Sequence, residues 1–150
     1  AGATELASIL NLKIIGPNID DKFLLDELEA QGSMLGISAQ NCSPDFWLDD
    51  GDTISVGNAK LDVFFTPGHS PGHIIFFHKP SNLAIVGDVL FAGSIGRTDL
   101  PGGDYSQLIN SIKTKLWPLG ENIEFVPGHG PASNFKIERS TNPFVSDNNL

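Results

Sequence analysis

Thr66-Pro67-Gly68-His69-Ser70-Pro71-Gly72-His73 is the most informative segment of this sequence. It separates two apolar runs, 61–65 and 73–77, which we predict to be strands. Two further apolar runs, 83–86 and 123–126, are also strand-like. The first of these ends at Gly87-Asp88 and the second at Pro127-Gly128-His129-Gly130-Pro131. A histidine or an aspartate therefore follows three separate predicted strands.

The order of these runs predicts where their polar ends meet. Runs 61–65, 73–77 and 83–86 read as a meander, with a turn at 79–82 that joins the last two. A helix predicted over 104–116 and stopped by Pro118 would return the chain, so that 123–126 lies parallel to 83–86. We therefore expect His69, Asp88 and His129 to lie at one edge of a sheet.

Imidazole and carboxylate groups gathered at one edge suggest a metal site. Both are common ligands of zinc, iron and manganese, and a carboxylate can bridge two metals. A single histidine after a strand is more often structural, and a single aspartate is more often a turn or cap residue. The coincidence of His69, Asp88 and His129 favours the metal interpretation.

The other two histidines of this region are predicted to have different roles. His73 follows His69 by four residues, but Pro71-Gly72 prevent a helical pair of ligands. We interpret His73 as a histidine that touches a ligand or packs in the core, with ligation as the less favoured alternative. His78 lies at the opposite end of its strand and is predicted to be structural.

The first part of the chain predicts two helices and a short strand within a single domain, 1–150. The helices are expected at 4–12, capped by Thr4, and from a cap at Asp20 or Asp21 to about residue 31. The strand is expected at 13–15. A further short strand is predicted at 53–56.

Composition narrows the classes of partner. The 150 residues carry a formal net charge of −9, which argues against nucleic acid and anionic membranes. No apolar run approaches the roughly 20 residues that span a bilayer, and the first residues lack the pattern of a signal peptide. The single cysteine, Cys42, suits a reducing compartment and reads as an inert thiol. We therefore predict a cytoplasmic protein.

Four segments together resemble the metallo-β-lactamase superfamily: T-P-G-H-S-P-G-H at 66–73, G-D at 87–88, G-R-T-D-L-P-G-G-D at 96–104 and P-G-H-G-P at 127–131. Within it the chain is most similar to the short bacterial form of glyoxalase II, the hydroxyacylglutathione hydrolases. The likeness extends to Glu138-Arg139 and Asn142-Pro143-Phe144. It implies an α/β fold, the αββα sandwich, and hydrolysis of a thioester such as S-D-lactoylglutathione.

The resemblance also implies roles for individual residues. His69 would bind a first metal, His129 a second, and Asp88 both, with a metal-bound hydroxide attacking the thioester carbonyl. Zinc is the favoured metal, two per full site, with iron or manganese as alternatives. Arg97 and Asp99 match a Gly-Arg-x-Asp loop, in which an ion pair is favoured over contact with substrate. No residue is predicted to bind an organic cofactor.

The chain departs from the family in one respect. The motif T-H-x-H-x-D-H, which supplies further ligands to both metals, is absent from residues 1–150. We therefore expect the chain to be the C-terminal part of a larger enzyme, without its first sheet, to be impaired alone, and to expose an apolar sheet face.

Two alternative functions follow from the same residues. The first is a mono-iron persulfide dioxygenase that uses His69 and Asp88 but not His129. A lactonase or a true β-lactamase is less favoured. The second is a non-catalytic module that kept the fold and lost the site. Glutathione recognition rests on the likeness alone, since the chain ends 21 residues after His129, too soon for the helical domain that binds glutathione in larger glyoxalase II enzymes.

Overall fold

A six-stranded mixed sheet dominates residues 49–150 in the computed structural model, which describes residues 2–149. In order across the sheet, its strands are β1 (Thr53–Val56), β2 (Ala59–Phe65), β3 (Ile74–His78), β4 (Leu83–Gly87), β7 (Glu124–Pro127) and β8 (Ser133–Asn134). A separate hairpin consists of β5 (Leu90–Phe91) and β6 (Ser94–Ile95).

The predicted strand order is confirmed. β2, β3 and β4 are antiparallel neighbours, with Val63 opposite Phe76 and Phe76 opposite Ile85. β7 pairs with β4 in parallel, with Ala84 opposite Phe125. The ends of β2, β4 and β7 that precede the polar residues therefore lie at the same edge of the sheet.

A capped helix connects β6 to β7, as predicted. The Asp104 carboxylate accepts a hydrogen bond from the Gln107 amide and begins α4 (Tyr105–Ser111). The chain continues as a π-helical turn, Ile112–Leu116, and then as a 3₁₀ turn that contains Pro118. Elements that the sequence analysis did not predict are β8, the β5–β6 hairpin and α5 (Phe135–Thr141).

The core lies on one face of the sheet. Its fully buried side chains come from the strands, α4 and the π-helical turn, and α5, and include Ile75, Ala84, Leu108, Ile112 and Phe125. Side chains of a strand alternate between faces, so the neighbouring residues point away from this core. Ile85 and Val126 on that opposite face are 43% and 44% exposed. Part of an apolar sheet face is thus exposed; its cover by a further sheet stays a prediction.

Residues Ala1–Leu48 form a compact unit of their own. That this unit and residues 49–150 belong to a single domain stays a prediction. Its helices are α1 (Ala3–Leu10), α2 (Lys22–Asp26) and α3 (Leu28–Leu35). The predicted cap at Thr4 is wrong, because Gly2 precedes the helix without a side-chain cap. The second predicted helix is interrupted at Glu27, and Asn18, rather than Asp20 or Asp21, accepts the capping hydrogen bond from the Asp20 amide.

The strand predicted at 13–15 is also wrong. Ile15 forms only an isolated bridge with Phe46. The backbone groups of Ile14 bond instead to Asp45, whose carboxylate accepts from the Ile14 amide at 2.9 Å and whose amide donates to the Ile14 carbonyl at 2.9 Å. These local bonds satisfy the segment without a ladder.

Within residues 2–149, no helix has both the length and the apolar character needed to cross a bilayer.

Candidate metal centre

The three predicted ligands lie close together, with two imidazoles beside the Asp88 carboxylate. His69 Nε2 lies 3.6 Å and His129 Nε2 4.0 Å from Asp88 Oδ2. All three side chains line one open cavity of about 400 Å³. The exposed fractions of the side chains rise from 16% for His69 and 33% for Asp88 to 75% for His129.

A backbone carbonyl fixes the orientation of the His69 ring. His69 Nδ1 lies 2.8 Å from the Arg97 carbonyl oxygen. Because a carbonyl only accepts, Nδ1 carries a hydrogen, and Nε2 is the ring nitrogen that faces Asp88. Histidines that bind metals in proteins are commonly held in this way through their other nitrogen.

The loop that carries His69 is held against the start of α4. The Asp104 amide donates to the Gly68 carbonyl at 2.8 Å, and Ser111 Oγ donates to the Pro67 carbonyl at 2.7 Å. Gly68 has a φ of +136°, and a Cβ there would lie 2.3 Å from the Leu108 backbone nitrogen. Only glycine allows this approach.

A hydrogen bond to His73 holds the backbone of Asp88 in place. The Asp88 amide donates to His73 Nε2 at 3.2 Å, and His73 Nδ1 lies 3.3 Å from Thr66 Oγ1. Desolvation inside the protein, and secondarily the charge of His69, lower the pKa of His73 to about 4. His73 is therefore neutral near pH 7, and both of its ring nitrogens have partners within the protein.

The ends of β4 and β7 leave little space around the Asp88 side chain. The Gly128 amide donates to the Gly87 carbonyl at 2.7 Å, which joins the two strand ends. A Cβ at Gly128 would lie 2.2 Å from Asp88 Oδ1. The Asp88 carboxylate can occupy its position only because Gly128 has no side chain.

The His129 ring rests on an aromatic side chain from the β5–β6 hairpin. The ring centroids of Phe91 and His129 are 4.5 Å apart, at an interplanar angle of 30°. Phe91, Ala92 and Ile95 also line the cavity. The sequence analysis missed Phe91, since a phenylalanine that ends an apolar run carries no signal of its own.

Arg97 and Asp99 form an exposed ion pair at the cavity rim. The guanidinium donates twice to the carboxylate, at 2.7 Å and 2.7 Å. These hydrogen bonds hold the pKa of Asp99 at about 2 and raise that of Arg97. Arg97 itself lines the cavity, whereas His78 bonds to Ser81 at the far end of β3.

The donor atoms suit a metal in their chemistry. The separations of 3.6 Å and 4.0 Å from Asp88 Oδ2 are too long for hydrogen bonds. They approach the spacing of about 3.3 Å between neighbouring ligands of a tetrahedral zinc ion. As they stand, however, no three His, Cys, Asp or Glu side chains within residues 2–149 are spaced to hold an ion. His129, whose Nε2 is 4.0 Å from Asp88 Oδ2 and whose side chain is 75% exposed, is the outlying member.

Comparisons with known proteins show which proteins the chain is similar to. The model of the metallo-beta-lactamase superfamily matches residues 1–129. Hydroxyacylglutathione hydrolase GloC of Haemophilus influenzae is 39% identical over 146 residues, which cover 96% of this chain and 69% of that protein. The probable metallo-hydrolase YqgX of Bacillus subtilis is 40% identical over 119 residues, or 79% of this chain and 56% of YqgX.

A solved structure shows the same fold. The crystal structure of TTHA1623 in a di-iron-bound form superposes with a TM-score of 0.86 at 32% identity, over 96% of this chain and 70% of that one. The chain therefore spans between about half and about two thirds of these relatives' lengths.

Proposed function

The chain belongs to the metallo-β-lactamase superfamily, and from this membership we propose that it forms part of a metal-dependent hydrolase for a small thioester such as S-D-lactoylglutathione. The observation that carries the proposal is the His69 ring, held at Nδ1 by the Arg97 carbonyl with Nε2 directed at Asp88 Oδ2. The likeness to hydroxyacylglutathione hydrolase GloC supports the choice of substrate.

The metal would be held by His69, Asp88 and His129. Zinc, iron and manganese all suit two imidazoles and a carboxylate. The di-iron-bound form of TTHA1623 supports iron as an alternative to zinc. When bound, such a metal supplies Lewis-acid polarisation of a carbonyl and a lower pKa for water.

The chain's own residues would orient the reactants. The Asp88 carboxylate lies between the two imidazoles, where it would hold the metal together with them. Phe91, Ile95 and Pro131 form the apolar side of the cavity, where the aliphatic parts of a thioester can pack. The Arg97 side chain is tied to Asp99 at the rim and shapes the entrance.

Metal binding and thioester hydrolysis test the proposal together. The metal-free chain is titrated with Zn²⁺, Fe²⁺ and Mn²⁺, and metal per chain is measured alongside hydrolysis of S-D-lactoylglutathione. We expect Asp88→Asn and His69→Gln each to weaken metal binding by about tenfold or more. His78→Gln, at the far end of β3, is the matched control and should bind as the parent does.

Two results would contradict the proposal. Equal metal affinity in the parent and in Asp88→Asn would show that the Asp88 carboxylate does not hold the metal. Oxygen uptake with glutathione persulfide, without thioester hydrolysis, would favour the dioxygenase instead.

A further inference from the structure

A carboxylate buried outside the metal centre has no established role. Glu138 on α5 is 1% exposed. Its Oε2 accepts from the Gly93 amide at 2.8 Å and from Asn142 Nδ2 at 2.9 Å, and its Oε1 accepts from Ser133 Oγ at 2.5 Å. No lysine, arginine or histidine of the described chain, residues 2–149, forms an ion pair with it. Hydrogen bonds alone therefore stabilise this buried group.

Asn142 extends the same network. It is fully buried, and its Nδ2 donates both to Glu138 and, at 3.0 Å, to the Ser94 carbonyl. Its Oδ1 accepts from the Phe144 amide at 3.0 Å. Every polar atom of the side chain is thus used, which fixes its position.

The network joins two walls of the cavity. Gly93 and Ser94 belong to the β5–β6 hairpin, whose Phe91 stacks on His129. Ser133 begins β8, four residues after His129. One oxygen of Glu138 therefore holds the hairpin wall, and the other holds the segment that carries His129.

We propose that Glu138, assisted by Asn142, is a positioning residue that sets the Phe91–His129 stack and so places the His129 ring beside Asp88. Fixing both walls through one rigid carboxylate limits the movement of an imidazole that is otherwise 75% exposed. Its consequence for turnover rests on the proposed hydrolase function, whereas its consequence for the His129 ring does not. Small displacements of a ligand are costly to catalysis.

Hydrogen-bond geometry, rather than charge, is what this role requires. The amide oxygen of Glu138→Gln can accept from the Gly93 amide and from Asn142, and its NH₂ group can donate to Ser133 Oγ. Glu138→Ala removes the acceptor from all three donors. The two variants therefore separate a positioning carboxylate from a merely charged one.

NMR of the metal-free chain of residues 1–150 tests the proposal. The His129 ring protons report the Phe91 ring current, and amide exchange at Gly93 reports the hairpin. We expect Glu138→Ala to shift the His129 ring signals as Phe91→Leu does, and to speed Gly93 exchange about tenfold or more while the Ala84 and Phe125 amides stay protected. Glu138→Gln should resemble the parent, as should Glu124→Ala, which removes an exposed carboxylate on β7.

Asn142→Ala is a second, milder variant should Glu138→Ala fail to fold. We expect it to shift the His129 signals in the same direction. Unchanged His129 and Gly93 signals in a folded Glu138→Ala would overturn the proposal. Equal loss of protection at Gly93, Ala84 and Phe125 in both alanine variants would overturn it too, because Glu138 would then support the whole fold rather than the site.

Hydrolysis assays separate this proposal from the proposed function. With an active parent, we expect kcat/KM to fall about tenfold in Glu138→Ala and to be recovered in Glu138→Gln. An inactive parent would agree with the expectation that the chain is impaired alone, and the NMR result would then decide by itself whether Glu138 positions His129.

Discussion

His69 and His73 are four residues apart, with ring centroids separated by 6.0 Å, yet they have different environments. His69 donates from Nδ1 to a backbone carbonyl and keeps Nε2 towards Asp88. His73 uses both nitrogens inside the protein, on Thr66 and on the Asp88 amide. Hydrogen-bond partners, and not residue type, therefore separate a candidate ligand from its support.

The neutral His73 should make the stability of the metal-free chain depend on pH. Its folded pKa of about 4 lies below the ordinary 6.5, so the unfolded chain takes up the proton first as the pH falls. The free energy of unfolding should therefore fall from pH 6.5 towards pH 4, by up to roughly 3 kcal/mol. His73→Gln should flatten this slope and His78→Gln should leave it unchanged, as measured by urea unfolding at several pH values.

Two glycines with positive φ allow the close approach of α4 to be tested. Gly68→Ala places a methyl 2.3 Å from the Leu108 backbone, whereas Gly57→Ala, at φ +59°, meets no atom within 4 Å. We expect a loss of roughly 3 kcal/mol or more for Gly68→Ala and about 1 kcal/mol for Gly57→Ala in chemical denaturation. Similar losses in both would show that α4 yields to the added methyl.

Elements with strong periodicity could be predicted, and short ones could not. The apolar runs around His69 and Asp88 gave β2, β3 and β4, and the Leu108–Ile112–Leu116 spacing gave the helix after Asp104. The β5–β6 hairpin has two residues per strand and β8 has two, which is too short for an alternating pattern to register. Yet this hairpin carries Phe91, which stacks on His129. One wall of the candidate site is therefore formed by an element that the sequence pattern does not reveal.

The start of α4 offers a test at the level of an element. Asp104→Ala removes the acceptor for the Gln107 amide and should cost about 1 kcal/mol. Asp104→Asn keeps a side-chain oxygen at the cap and should cost clearly less. Thermal unfolding of both variants measures the difference, and an Asn variant as unstable as the Ala variant would mean that the charge, rather than the cap, matters.

At the scale of the whole molecule, topology predicted the convergence of His69, Asp88 and His129, because each follows a strand that ends at one edge. The groups that orient them were not predictable. The Arg97 carbonyl is a backbone atom, and Glu138 acts from a helix with no apolar pattern to mark its buried side. Long-range partners of this kind depend on the packing and not on local sequence.

The exposed sheet face should be detectable in the chain of residues 1–150. Ile85 and Val126 are paired neighbours on that face. We expect the chain to bind an apolar-surface dye such as ANS, and the double variant Ile85→Ser, Val126→Ser to bind it measurably less. Ile137→Ser, which removes a 50% exposed side chain from α5, is the control and should change the fluorescence little. No dye binding by the parent would indicate that the face is covered in solution.

The parallel pairing of β4 with β7 has a consequence for the time at which the ligands assemble. β2, β3 and β4 join through short turns, whereas Leu83 meets Glu124 only after α4 has folded back across the intervening chain. Contacts between distant parts of a chain form slowly, because a long loop must close first. We therefore expect His69 and Asp88 to come together early in folding and His129 to arrive last, so that a growing or stalled polypeptide presents two of the three candidate ligands before it can present the full set.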